Sequence, residues 1–276
     1  MNNPIYYING DFVRAEDAVV PFDDGGFQRG NAIFETIRFS KKKLLYINEH
    51  IQRLRKGINY LEFNFTHSDE QLIGIIKKII DVNSLDSGAI NVIVSSSFDI
   101  SSPLNSKANI YISIRQIKKI NSSKVKVIFL NEWDFPIIRF KDSIKISSYA
   151  GNIKALKLAK KKKAFDAVFI NKKTNITEAT MRNIFFIKNK EVFTPPLSLG
   201  ILPGTTRRLI FKLCKEHAYD CSEKIIKFED INNMDEAFLT SSTYGIIPCY
   251  WDTWNSDYKY TEKLKNLLDF KLSKEL

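Results

Sequence analysis

The chain has 276 residues (31.9 kDa), of which 44% are hydrophobic, 12% aromatic and 26% charged. This composition excludes a disordered tail, a collagen-like fibre and a small disulfide-stapled scaffold, and leaves one large or two medium domains with a substantial core. Lys and Arg total 42 against 31 Asp and Glu, a net charge of +11, which bears on solubility and anionic partners and not on fold.

Residues 4–39 read as strands broken by turns. Ile5–Ile8 and Phe12–Val13 flank Asn9-Gly10, a hairpin signal. Pro21 to Gly30 is a loop whose glycines allow unusual backbone angles or close approach. Ile47, Ile51, Leu54, Ile58 and Leu61 recur at helical spacing, so 48–61 is expected as an amphipathic helix with Asn48 as its N-cap. A second helix is expected over 69–82, then strands over Ile90–Ser95 and Ile110–Ile114. Residues 1–117 thus form an N-terminal α/β domain, and the polar, basic stretch 118–124 a linker. A strand-rich C-terminal α/β domain, 125–276, follows. Its strand-like runs are Val125–Leu130, Ala167–Ile170, Ile184–Ile187 and Ala237–Leu239, interrupted by helical patterns at 151–163 and 205–217. The run Lys160–Lys163 falls near a helix C-terminus, where cations complement the dipole.

No apolar run approaches the roughly 20 residues of a membrane helix, and Met1–Ile5 shows no secretory pattern. Three cysteines without a Cys-x-x-Cys pair, and no clustered histidines, fit a reducing cytoplasm and no structural metal. Basic residues are scattered, so no nucleic-acid partner is expected.

Four segments could carry chemistry. Lys145 lies between two β-branched apolar residues, where partial desolvation favours the neutral amine that forms an imine; the alternative is a solvent-facing lysine. Glu178 precedes the strand Ile184-Phe185-Phe186 and could hold a ring nitrogen protonated, or merely end a turn. Gly200–Arg207 leads into a helix and offers amides and hydroxyls to an anion, or ordinary threonine capping. Thr240–Gly245 ends a strand with a cluster of hydroxyls that could close on the same anion, or form an ordinary turn.

In this order, and with Gly26-Phe27-Gln28-Arg29-Gly30-Asn31-Ala32-Ile33-Phe34-Glu35-Thr36-Ile37-Arg38 and Glu49-His50-Ile51-Gln52-Arg53-Leu54 before them, these segments resemble the class-IV aminotransferases. These are the pyridoxal 5'-phosphate (PLP) enzymes of fold type IV, which include branched-chain and D-amino-acid aminotransferases and 4-amino-4-deoxychorismate lyase. The resemblance runs from Tyr6 to about Pro248. It implies a mixed α+β / α/β fold, two domains with the cofactor at their interface, a homodimer and a small-molecule amino substrate. It further implies that Lys145 is the Schiff-base lysine and proton shuttle. Glu178 would pair with the pyridine nitrogen, and Arg53, Thr205, Thr206, Ser241 and Ser242 would hold the phosphate. Tyr149 would bond the phenolic oxygen. Arg53, off the apolar stripe of its helix, can face an anion. Asn31 and Ala179 stand where Asp and Gly are commoner in the family; neither removes a catalytic group.

For the reaction, Val92–Phe98 has no arginine where the D-amino-acid enzymes resembled here carry one for the substrate carboxylate. Thr36 stands where branched-chain transaminases have glycine and is similar to the lyases, where a hydroxyl near Cα assists proton movement. The expectation is therefore a lyase that releases pyruvate and p-aminobenzoate. The alternatives are a branched-chain-type aminotransferase and, since a fold can host other functions, a non-catalytic PLP-binding homologue.

Overall fold

The computed structural model describes residues 3–97 and 107–275. The chain divides into two compact units. One holds the residues up to Lys118 together with Ile144–Ser148, the other Lys119–Ser143 and Tyr149–Lys274.

The first unit contains β1 (Ile5–Ile8), β2 (Asp11–Arg14), α1 (Gly25–Arg29), β3 (Ala32–Ser40), β4 (Lys43–Leu44), α2 (Ile47–Tyr60), α3 (Asp69–Val82), β5 (Gly88–Ser96) and β6 (Ala108–Arg115). The strands form one antiparallel sheet in the order β2-β1-β6-β5-β3-β4. The β1–β2 hairpin turns through Asn9 (φ 49°) and Gly10 (φ 121°), backbone angles that asparagine and glycine tolerate best.

Strand alternation sets the layers. Ile33, Glu35, Ile37 and Phe39 share a buried face with Val94, Val92 and Ile90 of β5 and with Ile110, Ile112 and Ile114 of β6. Helix α2 covers this face so closely that a Cβ at Gly57 would meet Ile33 at 3.0 Å. Phe34, Thr36 and Arg38 lie on the opposite face and stay half-buried. Helix α3 spans the expected residues and opens with a capping box between Ser68 and Gln71. The start of α2 differs from expectation: Tyr46, in the left-handed region at φ 52°, is the N-cap and makes no side-chain cap bond. The tight entry from β4 begins the helix before Asn48, which falls inside the first turn.

The second unit contains β7 (Val125–Asn131), α4 (Ala150–Lys161), β8 (Asp166–Ile170), β9 (Ile176–Ala179), β10 (Asn183–Lys188), β11 (Glu191–Thr194), α5 (Thr205–Glu216), β12 (Cys221–Glu223), β13 (Glu236–Ser241), β14 (Gly245–Tyr250) and α6 (Lys259–Lys274). Its sheet is mixed, in the order β12-β11-β10-β13-β14-β7-β8-β9. Strands β7 and β8 run parallel through the crossover helix α4. Val127, Val168, Ile184, Phe186 and Leu239 fill one core face. Phe185 and Phe238 stack with ring centroids 5.1 Å apart. Lys160 and Lys161 occupy the last turn of α4 as expected. The cysteines are free thiols, and no helix among the described residues is long and apolar enough to cross a membrane.

Candidate functional site

The residues singled out from the sequence fall into two groups, one in each unit. In the first, Ile144–Ser148 runs along the open edge of β3: the Phe34 amide donates to the Lys145 carbonyl at 2.9 Å and the Ser147 amide to the Ala32 carbonyl at 2.8 Å. Ile33 and Ile146 form an antiparallel bridge. These bonds explain why a segment far downstream in the chain packs with the first unit. They seat Lys145 beside Phe34, its Nζ 4.2 Å from the ring centroid. Two residues on, on the same face, Thr36 Oγ1 donates to Asn91 Oδ1 at 3.3 Å. The Arg38 side chain, next on that face, makes no hydrogen bond or ion pair among the described residues. Arginine is absent from residues 92–97; Phe98 of that stretch lies outside the described residues.

Through the other face, α2 delivers Arg53 to Glu35. Nε donates to Oε1 at 2.6 Å and Nη2 to Oε2 at 2.7 Å, a bidentate pair. His50 Nδ1 lies 2.7 Å from the same Oε2. Burial pushes the Glu35 carboxyl up, but the Arg53 cation and the hydrogen bonds from Arg53 and His50 outweigh it and hold the group down at about 2. Within this unit Arg53 is thus paired with Glu35. Glu35 and His50 stood in the sequence motifs without a role.

In the second unit, Glu178 on β9 is gripped from two directions. Its Oε1 accepts from Arg139 Nη1, and its Oε2 accepts from the Leu202 amide at 3.1 Å and from Asn183 Nδ2 at 3.2 Å. Asn183 Nδ2 also donates to the Leu202 carbonyl at 2.9 Å, tying β10 to the 200–204 loop. That loop needs its glycines: Gly200 sits at φ 73°, and a Cβ at Gly204 would lie 2.1 Å from Asn183 Oδ1.

Gly204 is the N-cap of α5 and offers no side chain to its amides. Around that helix end, Thr205 and Thr206 are buried, and Thr205 Oγ1 lies 2.9 Å from Ser242 Oγ. Ser241 Oγ is 3.3 Å from Thr243 Oγ1 and accepts from the Tyr244 amide at 3.3 Å. An uncapped helix N-terminus ringed by hydroxyls suits a phosphate ester, and a fixed carboxylate suits a protonated ring nitrogen, so the residues of this unit fit a phosphorylated pyridine. Tyr149, half-buried, is the N-cap of α4.

Sequence reasoning missed Arg139. Besides Glu178, its Nε reaches Glu132 Oε2 at 3.3 Å and its Nη2 donates to Thr177 Oγ1 at 3.3 Å. Burial pushes its pKa down, but the Glu178 and Glu132 carboxylates outweigh that and raise it. Its one signal in sequence is a lone cation in the apolar run 135–140.

Comparison with known proteins gives the family. The family model for amino-transferase class IV matches residues 32–250. The D-alanine aminotransferase of Bacillus licheniformis is 26% identical over 246 residues, 87% of this chain and 85% of that protein. The aminodeoxychorismate lyase of Bacillus subtilis is 26% identical over 250 residues, covering 88% and 84%. The branched-chain amino acid aminotransferase of Escherichia coli superposes with a TM-score of 0.89 at 21% identity, covering 99% of this chain and 96% of that one, a likeness of fold.

Proposed function

Since the chain belongs to the class-IV aminotransferase family, and so is a PLP-dependent transaminase or lyase, we propose that it catalyses the 4-amino-4-deoxychorismate lyase reaction, releasing pyruvate and p-aminobenzoate. The observation that carries this reading is the Thr36 hydroxyl, two residues from Phe34 on the sheet face beside Lys145. The B. subtilis lyase, matched over most of both chains, supports it.

PLP, when bound, supplies an electron sink that makes the substrate Cα proton acidic. Lys145 would hold the cofactor through its amine, and the same amine would take the substrate Cα proton as general base and return it as general acid. Thr36 positions the proton on its path by hydrogen bonding. Glu178 keeps the ring nitrogen protonated. Arg53, Thr205, Thr206, Ser241 and Ser242 would bind the phosphate. Tyr149 donates to the phenolic oxygen. None of the phosphate ligands does chemistry; by fixing the ring they keep Lys145 within reach. Arg38, with no anion of its own among the described residues, is the cation available to a substrate carboxylate.

We place the enzyme in the cytoplasm as a homodimer. Val19, Val20, Phe22 (80% exposed) and Phe27 (66% exposed) are exposed apolar side chains of the first unit, the two ring centroids 6.0 Å apart, and a second copy would cover them.

The test is incubation of the PLP-loaded protein with 4-amino-4-deoxychorismate and no oxo-acid. Equal yields of p-aminobenzoate and pyruvate, lost in Lys145→Ala, support the reading. Amino transfer from glutamate or a branched-chain amino acid to an oxo-acid, without p-aminobenzoate, replaces it with the aminotransferase.

A further inference from the structure

Glu178 does not stand alone in the second unit. Glu132, at the end of β7, and Glu178, on β9, take the Arg139 guanidinium between them. Thr177 Oγ1 closes the group, 3.3 Å from Glu132 Oε2 and 3.2 Å from the Phe169 carbonyl. The side chains of Glu132 and Arg139 are each 17% exposed and that of Glu178 is 12% exposed, so solvent screens the three weakly.

The loop that carries Arg139 is held by packing. A Cβ on Gly151 would strike the Pro136 carbonyl oxygen at 2.5 Å, and one on Gly200 would meet the Phe140 amide at 3.1 Å. The backbone on either side of Arg139 is therefore tightly packed, and its guanidinium lies against Glu178 and Glu132.

Charge arithmetic gives the group a purpose. An arginine paired with Glu178 alone would cancel its charge and weaken its hold on a protonated ring. The second carboxylate, Glu132, returns the group to one net negative charge. One pyridinium balances that charge.

We propose that Glu132 is a positioning residue for the cofactor ring nitrogen: by pairing with Arg139 at Nε while Glu178 pairs at Nη1, it keeps this three-residue group net negative and the nitrogen protonated through the working pH range. The inference rests on the proposed pairing of Glu178 with that nitrogen. Glu132 acts through Arg139 and takes no part in bond making.

The experiment loads the full-length protein with PLP carrying 15N in the ring and follows the nitrogen chemical shift against pH. In Glu132→Gln the group becomes neutral, and the midpoint for loss of the ring proton falls by about one unit relative to wild type. In Arg139→Gln two carboxylates face the ring without their cation, and the midpoint rises. Opposite directions from neighbouring positions do not arise from general loosening, and either variant alone decides the sign if the other fails to fold. A Glu132→Gln midpoint within about 0.2 units of wild type, or two variants that move the same way, overturns the inference while leaving the function standing. A wild type that takes up no PLP overturns the proposed function, and the inference with it.

Discussion

Replacing Glu35 by Gln tests the electrostatic core of the first unit. Glu35 is 1% exposed and receives two hydrogen bonds from Arg53, with His50 2.7 Å away. The variant leaves a buried guanidinium without its counter-charge, which costs about 3–5 kcal/mol at neutral pH. The pH dependence gives a second, independent number. The carboxyl is held at about 2 in the fold against an ordinary 4.5. A depressed carboxyl contributes stability above its unfolded value and loses it as pH falls through the folded one. That contribution is therefore full above about pH 5, and about 3 kcal/mol of it disappears toward pH 2. The assay is urea unfolding of wild type and Glu35→Gln at matched pH values between 7 and 3. Acid repulsion among the other charges is common to both proteins and cancels in the difference. The wild type should exceed the variant most at pH 7, and the gap should narrow below pH 4.5. A gap that is constant across the range would refute the account, because the lost interaction would then not depend on the Glu35 charge.

Two further substitutions probe the second unit. Gly204→Ala puts a methyl 2.1 Å from Asn183 Oδ1, so it should displace Asn183 from Glu178 and the Leu202 carbonyl. It should lower stability by about 1–3 kcal/mol and weaken PLP binding; equilibrium dialysis that gives wild-type affinity would count against the coupling of loop and carboxylate. Glu236→Ala removes a buried carboxylate that accepts from the Tyr260 amide at 2.8 Å and the Thr261 amide at 2.6 Å, and so caps α6. A loss of about 1–2 kcal/mol is expected in thermal or urea unfolding, without change in cofactor affinity.

What could be read from the chain alone follows the range of the interactions. Helix α3 was legible because its cap, Ser68 with Gln71, and its buried residues Leu72, Ile76, Ile79 and Ile80 all lie within four turns of one another. Strand β3 was harder: its buried face includes Glu35, a charge where a core residue is expected, and only Arg53 and His50, brought by α2, make that position tolerable. The Asn48 cap failed because the preceding turn, through Tyr46, sets the helix start. Helix α6 escaped notice because only Thr261, Leu264 and Leu268 of its residues are buried, too sparse a stripe to read. The same division runs through the candidate site. Gly200–Arg207 is a local device, a loop feeding a helix, and its amides and hydroxyls could be read from adjacent letters. The partners that set charge are not local: Arg53 reaches back 18 residues to Glu35, Arg139 reaches 39 ahead to Glu178, and Thr177 meets Glu132 across 45. A single sequence displays groups suited to react, since reactive geometry is built in short motifs. The counter-charges that decide their protonation arrive only when the sheet is assembled.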